Sequence, residues 1–118
     1  MSQPDLSKWD YADSGGAKSP VEREMGKAKM SATAVSRLEA GMGRIANGPL
    51  LPGETGPVRE GVNELRVNVD KRWYRLLYGQ HGSRWVALFF AVKKRNDLDA
   101  AWITTAIKRL KDHKKLHS

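Results

Sequence analysis

The sequence predicts an α+β domain: a small antiparallel β-sheet of three to four strands, with two helices before it and one after. Three observations carry this expectation. Apolar residues recur at helical spacing as far as Ile45, at a period of two from Glu64 onward, and at helical spacing again from Leu98 to Leu110. Turn-forming residues fall at the changes of period: Gly48-Pro49, Asp70-Lys71-Arg72 and Gly79-Gln80-His81-Gly82. The chain's 118 residues, 40% of them hydrophobic, suffice for one compact domain with a core.

Residues 1–18 read as a polar segment whose aromatic island, Trp9 and Tyr11, is a possible short first strand at an edge. Residues 19–118 read as a single domain. "SPVE" opens the first helix, with Ser19 as N-cap, Pro20 at the first helical position and Glu22 completing a capping box. The continuation through Met25, Gly26, Ala28 and Met30 is weak, so this helix is short. Val35, Leu38, Met42 and Ile45 make the stripe of a second helix, which Gly48-Pro49 ends and which Gly41 and Gly43 weaken. "GPLLPGETGP" (Gly48 to Pro57) reads as a loop.

In the strands, Leu65, Val67 and Val69 face one way; Glu64, Arg66 and Asn68 face the other. Tyr74, Leu76 and Tyr78 then share a face opposite Trp73, Arg75 and Leu77. The stretch Arg84 to Val92 is apolar on both faces, which places it centrally in the sheet. Asn96 is the expected N-cap of the last helix, with Asp97 and Asp99 complementing its positive end. Its apolar face is Leu98, Trp102, Ile103, Ala106, Ile107 and Leu110. A meander with the helices packed on one face follows.

Twenty-one Lys and Arg against thirteen Asp and Glu leave a net charge of +8, with a pI near 10.0. That balance favours a polyanionic partner over a merely solvated surface. "WVALFFAV" is far too short to span a bilayer, and the N-terminus has neither the basic nor the apolar region of a secretory signal. The absence of Cys excludes a disulfide framework and a thiolate metal site. A cytoplasmic protein with no membrane partner is expected.

Arg66 and Arg75 lie on neighbouring strands, and like charges across a ladder destabilise it. Either an anionic ligand sits between them or Glu64 or Asp70 pairs with them. Lys93-Lys94-Arg95 ends the third strand, where a rigid support can aim side chains at a ligand; edge-protecting charge is the alternative. His81 reads as a turn residue and His117 as a tail residue. His113 reads either as a solvated helix-end histidine or as one folding back toward the sheet. The three show no metal-ligand spacing and no acidic ligand cluster, so no metal site is expected. There is no Walker-type loop, no G-x-G-x-x-G and no nucleophile elbow.

"EGVNELRV" (Glu60 to Val67), "WYRLLY" (Trp73 to Tyr78) and "RWVALFFAVKKR" (Arg84 to Arg95), in this order and followed by "AIKRLKDH", resemble the RelE/HigB superfamily of bacterial and phage toxins. The likeness runs from about Trp9 to His113 and is greatest to the phage-type HigB-like branch. It implies a RelE-like fold and cleavage of mRNA at the ribosomal A site without metal or cofactor. It also implies a small partner antitoxin, often with a helix-turn-helix domain. Relatives similar to ParE inhibit gyrase instead, so a non-enzymatic toxin or nucleic-acid-binding protein is the alternative. Carried over, the resemblance makes Arg75 and Arg95 phosphate-stabilising groups and places Lys94 and His113 with them as catalytic candidates. Arg66, Lys71, Arg72, Arg84 and Lys93 are the RNA-binding candidates. The sequence departs from the HigB-like pattern at Phe89 and Ala91, where histidine and phenylalanine are usual.

Overall fold

The computed structural model describes residues 4–13, 19–93 and 98–117, Lys93 by its backbone alone. In chain order the elements are β1 (Trp9–Tyr11), α1 (Pro20–Lys27), α2 (Ala32–Asn47), β2 (Thr55–Arg59), β3 (Val62–Val69), β4 (Arg72–His81), β5 (Arg84–Lys93) and α3 (Ala100–Leu116). The α+β class and the three helices are as expected. The sheet is larger: its five strands run in the order β1-β5-β4-β3-β2.

The two outer strands are the possible first strand expected at Trp9 and Tyr11 and one unexpected strand, β2. The aromatic island is β1, which pairs with β5 in parallel and makes the sheet mixed. Trp9 is held there by its indole N–H, which donates to the Met42 carbonyl at 2.8 Å, and by edge-on contact with Tyr78. Strand β2 takes Thr55, Gly56 and Pro57 from the expected loop and pairs antiparallel with β3. Proline is tolerated on an edge, and the register shifts between Pro57 and Arg59. Strand β5 lies between β1 and β4, inside the sheet as expected.

The helices pack on both faces rather than one. Leu65, Leu76 and Phe90 are cross-strand partners on one face; Glu64, Leu77 and Phe89 are partners on the other. Helix α2 covers the first face so closely that a Cβ at Gly41 would stand 3.0 Å from Leu65. The residue that weakens the helix is what lets it approach. Helix α3 covers the second face: Trp102 stacks on Phe89 with ring centres 5.9 Å apart, and Leu110 fills the space above Gly79. Both faces of β4 and β5 are apolar, so a single helical layer would leave one of them bare.

Helix α1 guards the part of β5 that β1 leaves open. The Phe90 N–H donates to Glu24 at 3.1 Å, and Arg109 of α3 bridges Glu24 to the Leu88 carbonyl. Ser19 and Ser31 cap α1 and α2 through their hydroxyls. The N-cap of α3 is Asp99, whose carboxylate accepts from the Ala101 N–H at 2.9 Å, rather than Asn96. Aspartate caps as well as asparagine, and a start at Asp99 sets Trp102 over Phe89. Lys94, Arg95, Asn96 and Asp97 lie outside the described residues. Among the described residues no helix is long and apolar enough to cross a membrane.

Candidate functional site

All three histidines converge. His81 ends β4, while His113 and His117 sit one turn apart on α3 and its C-cap. The His113 ring centre lies 4.3 Å from that of His117 and 6.0 Å from that of His81. With Asp10, Tyr11, Asp13 and Arg84 they line an open cleft of about 450 Å³ at the β1 edge. The expectations for His81 and His117 as turn and tail residues missed this. His113 is the histidine that folds back: it is buried at 3% exposure.

Hydrogen bonds set the tautomers. His113 Nδ1 accepts the Asp13 backbone N–H at 3.3 Å, so in the neutral ring the proton is on Nε2. Burial, then the neighbouring His117 and His81, lower its pKa, against the opposing pull of Asp10 and Asp13. His81 Nε2 stands 3.2 Å from the His117 carbonyl. A carbonyl can only accept, so His81 donates there and keeps its lone pair on Nδ1. Asp13 Oδ2 is 3.7 Å from His117 Nε2, an ion pair whenever that ring is protonated. The Arg84 guanidinium donates to both Asp10 carboxylate oxygens, at 2.7 and 2.9 Å, and holds that carboxyl below the usual carboxylate range. Burial, with Glu22 and Glu39 nearby, raises the Tyr11 phenol, which stays protonated.

The other candidates lie at the opposite end of the strands. Arg66 and Arg75 are direct cross-strand partners, and the anion between them is Glu64. One oxygen of Glu64 receives Arg66 at 3.0 Å and the other receives Arg75. Arg75 and Glu64 are both buried, whereas the Arg66 side chain is 31% exposed. A phosphate bound at Arg75 would have to displace Glu64. Lys71 and Arg72 are exposed at the β3–β4 turn, where Asp70 and Lys71 have φ of 52° and 66°. Lys93 pairs with Trp73 through its backbone, and Lys94 and Arg95 fall outside the described residues.

The structure therefore groups two expected residues, Arg84 and His113, with His81 and His117, which read as a turn and a tail residue. It separates them from Arg75 by six residues of strand, about 20 Å. One signal was available: His113 and His117 are four apart and share a helix face. Nothing local ties them to His81 or Asp13.

A sheet in this order, with two helices before the meander and one after, defines a RelE-like α+β fold. The chain belongs to the phage-derived Gp49-like family (DUF891), whose sequence profile matches residues 28–111. That family falls within the RelE/HigB-like toxin clan. The match includes His81 and Arg84 and leaves Asp10, Tyr11, Asp13, His113 and His117 outside it. No curated protein matches the chain.

Proposed function

We propose that this protein is the toxin of a type II toxin–antitoxin pair, of the phage-type HigB-like branch, and that it cleaves mRNA on the ribosome. Its cognate partner is a helix-turn-helix antitoxin, and its place of action is the cytoplasm. The observation that carries the reading is the convergence of three imidazoles, those of His81 and His113 in defined tautomers, beside a guanidinium in an open cleft. Support also comes from the toxin family and from the net charge of +8.

RNA cleavage by its own 2′-hydroxyl needs one base and one acid. His81 takes the 2′-hydroxyl proton on Nδ1. The 2′ oxygen bonds to the adjacent phosphorus as the bond to the 5′ oxygen breaks. His117, beside Asp13, donates a proton to the departing 5′ oxygen. His113 Nε2–H donates to a phosphoryl oxygen as charge builds there, and burial disfavours the charged form of that ring. The products are a 2′,3′-cyclic phosphate and a 5′-hydroxyl. Imidazole performs both proton transfers, so the step runs without a metal ion.

A second reading follows from the cleft's other charges. Asp10 and Asp13 oppose a phosphate, and Arg84 is already engaged by Asp10. A toxin that binds gyrase, nucleic acid or antitoxin without cleaving RNA satisfies those charges better. Induced expression of wild type, His81→Gln and His117→Gln, with growth followed and cellular mRNA 5′ ends mapped, separates the two. Arrest with new ends, both lost in the variants, is the expected result. Arrest without new ends selects the second reading. Undisturbed growth while intact protein accumulates contradicts the toxin reading itself.

A further inference from the structure

Beyond Leu65, β3 has no β2 partner, although the Arg66 N–H still donates to the Glu54 carbonyl at 2.9 Å, and this half borders a groove of about 470 Å³. Arg37, Ala40 and Arg44 of α2 form one wall, the turn 51–54 the other, and Arg66, Asn68 and Trp73 the floor. Three guanidiniums line this groove, Arg37, Arg44 and Arg66, and the buried Arg75 lies behind it against the Trp73 ring at 5.9 Å. Two carboxylates offset them. Glu54 is held by Arg44, and Glu64 is shared between Arg66 and Arg75. Arg37 donates to the Asn68 carbonyl at 3.1 Å, which leaves its charge on the groove.

A partly exposed indole set among cations and beside an exposed asparagine is neither a core arrangement nor an ordinary solvated face. The ring offers a surface on which a flat base stacks. Arg37 offers donors to a phosphate. Arg66 adds its charge while giving one terminal nitrogen to Glu64 and the other to the Gly53 carbonyl at 2.9 Å. The volume is that of a small-ligand site. Bases in a duplex are already stacked and cannot reach the ring.

We infer that this groove binds one nucleotide of single-stranded RNA, with the base on Trp73 and the flanking phosphate on Arg37 and Arg66. The inference rests on the RNA-directed reading above and deepens it. The groove lies about 25 Å along β4 from His81, so it holds a nucleotide several positions from the scissile bond. It is a positioning site: it registers the strand and takes no part in the chemistry.

The test is fluorescence anisotropy of the intact protein with a short, labelled 2′-O-methyl oligoribonucleotide, which the 2′-hydroxyl route cannot cleave. Wild type is compared with Trp73→Ala, Trp73→Phe and Arg37→Ala, each first shown to be folded by its thermal melt. Loss of the base platform weakens binding about 5- to 150-fold in Trp73→Ala, and Trp73→Phe restores most of it. Arg37→Ala, at an exposed position, reduces the salt dependence by about one phosphate contact. Unchanged affinity in folded Trp73→Ala and Arg37→Ala overturns the inference. So does equal binding of duplex RNA or of a base-free polyanion, which would mark the groove as plain cationic surface. If binding depends on Trp73 but wild type cleaves nothing on ribosomes, the nuclease reading fails and this one stands. The reverse pattern retires the groove alone.

Discussion

Replacing Arg75 by methionine tests how the charged core of the sheet is held. Arg75 and Glu64 have side chains only 3% and 5% exposed, and Glu64 has a second partner in Arg66. Breaking a buried pair costs about 3–5 kcal/mol, because a charge is stranded away from water. Arg66 still answers Glu64 in the Arg75→Met variant, so the lower end, about 3 kcal/mol, is expected. Glu64→Gln strands Arg75 instead and falls toward the upper end, about 5 kcal/mol. Arg66→Met removes a partly solvated partner and costs about 1 kcal/mol or less. The double variant Glu64→Leu/Arg75→Met removes both buried charges and recovers most of the loss. Urea unfolding followed by circular dichroism measures all four. If Arg75→Met is no less stable than Arg66→Met, or the double variant is as unstable as the singles, the buried-pair account is wrong. Any loss of toxicity in an Arg75 variant must be read beside this loss of fold.

Other outcomes follow from the same geometry. The folded-state pKa of His113 is lowered from 6.5, so the unfolded chain binds the proton more readily. Stability is therefore fully present above that value and is lost as pH falls toward and through the folded pKa; melting curves should show this slope and His113→Gln should flatten it. An unchanged slope would mean that another group controls it. Lys71 adopts a left-handed φ of 66° at the second turn position, where glycine is unstrained, so Lys71→Gly should stabilise the protein by about 1 kcal/mol in a thermal melt. A lower melting temperature would refute this. Gly41→Val drives a branched side chain into Leu65 and should cost about 1–3 kcal/mol despite a better helix propensity. A gain in urea stability would show that the helix–sheet approach is not tight.

Much of the fold was legible because it is written locally. The period of two from Glu64, the turn at Asp70-Lys71 and the stripe through Ala106, Ile107 and Leu110 need no distant partner to be read. The juxtaposition of Arg66 and Arg75 was legible for the same reason, as was Glu64 as one of its two explanations. Of the edge strands, the one at Trp9 and Tyr11 was legible as a possibility, and β2 was not. Thr55–Arg59 contains Gly56 and Pro57, and only its pairing with β3 makes it a strand. The placement of helices on both faces depends on how α2 and α3 cross the sheet, which spacing does not encode. The histidine cleft was the least legible, since the contact between Asp13 and His113 spans 100 residues.

The central claim is that imidazoles in that cleft perform the proton transfers of RNA cleavage. The most direct measurement gives purified protein to ribosomes translating a defined mRNA and analyses the ends produced by wild type, His81→Gln and His117→Gln. The account predicts fragments with 5′-hydroxyl and 2′,3′-cyclic phosphate ends in wild type, and losses of about 10²-fold or more in each variant. Cleavage undiminished in both variants, or no cleavage by wild type, would contradict it.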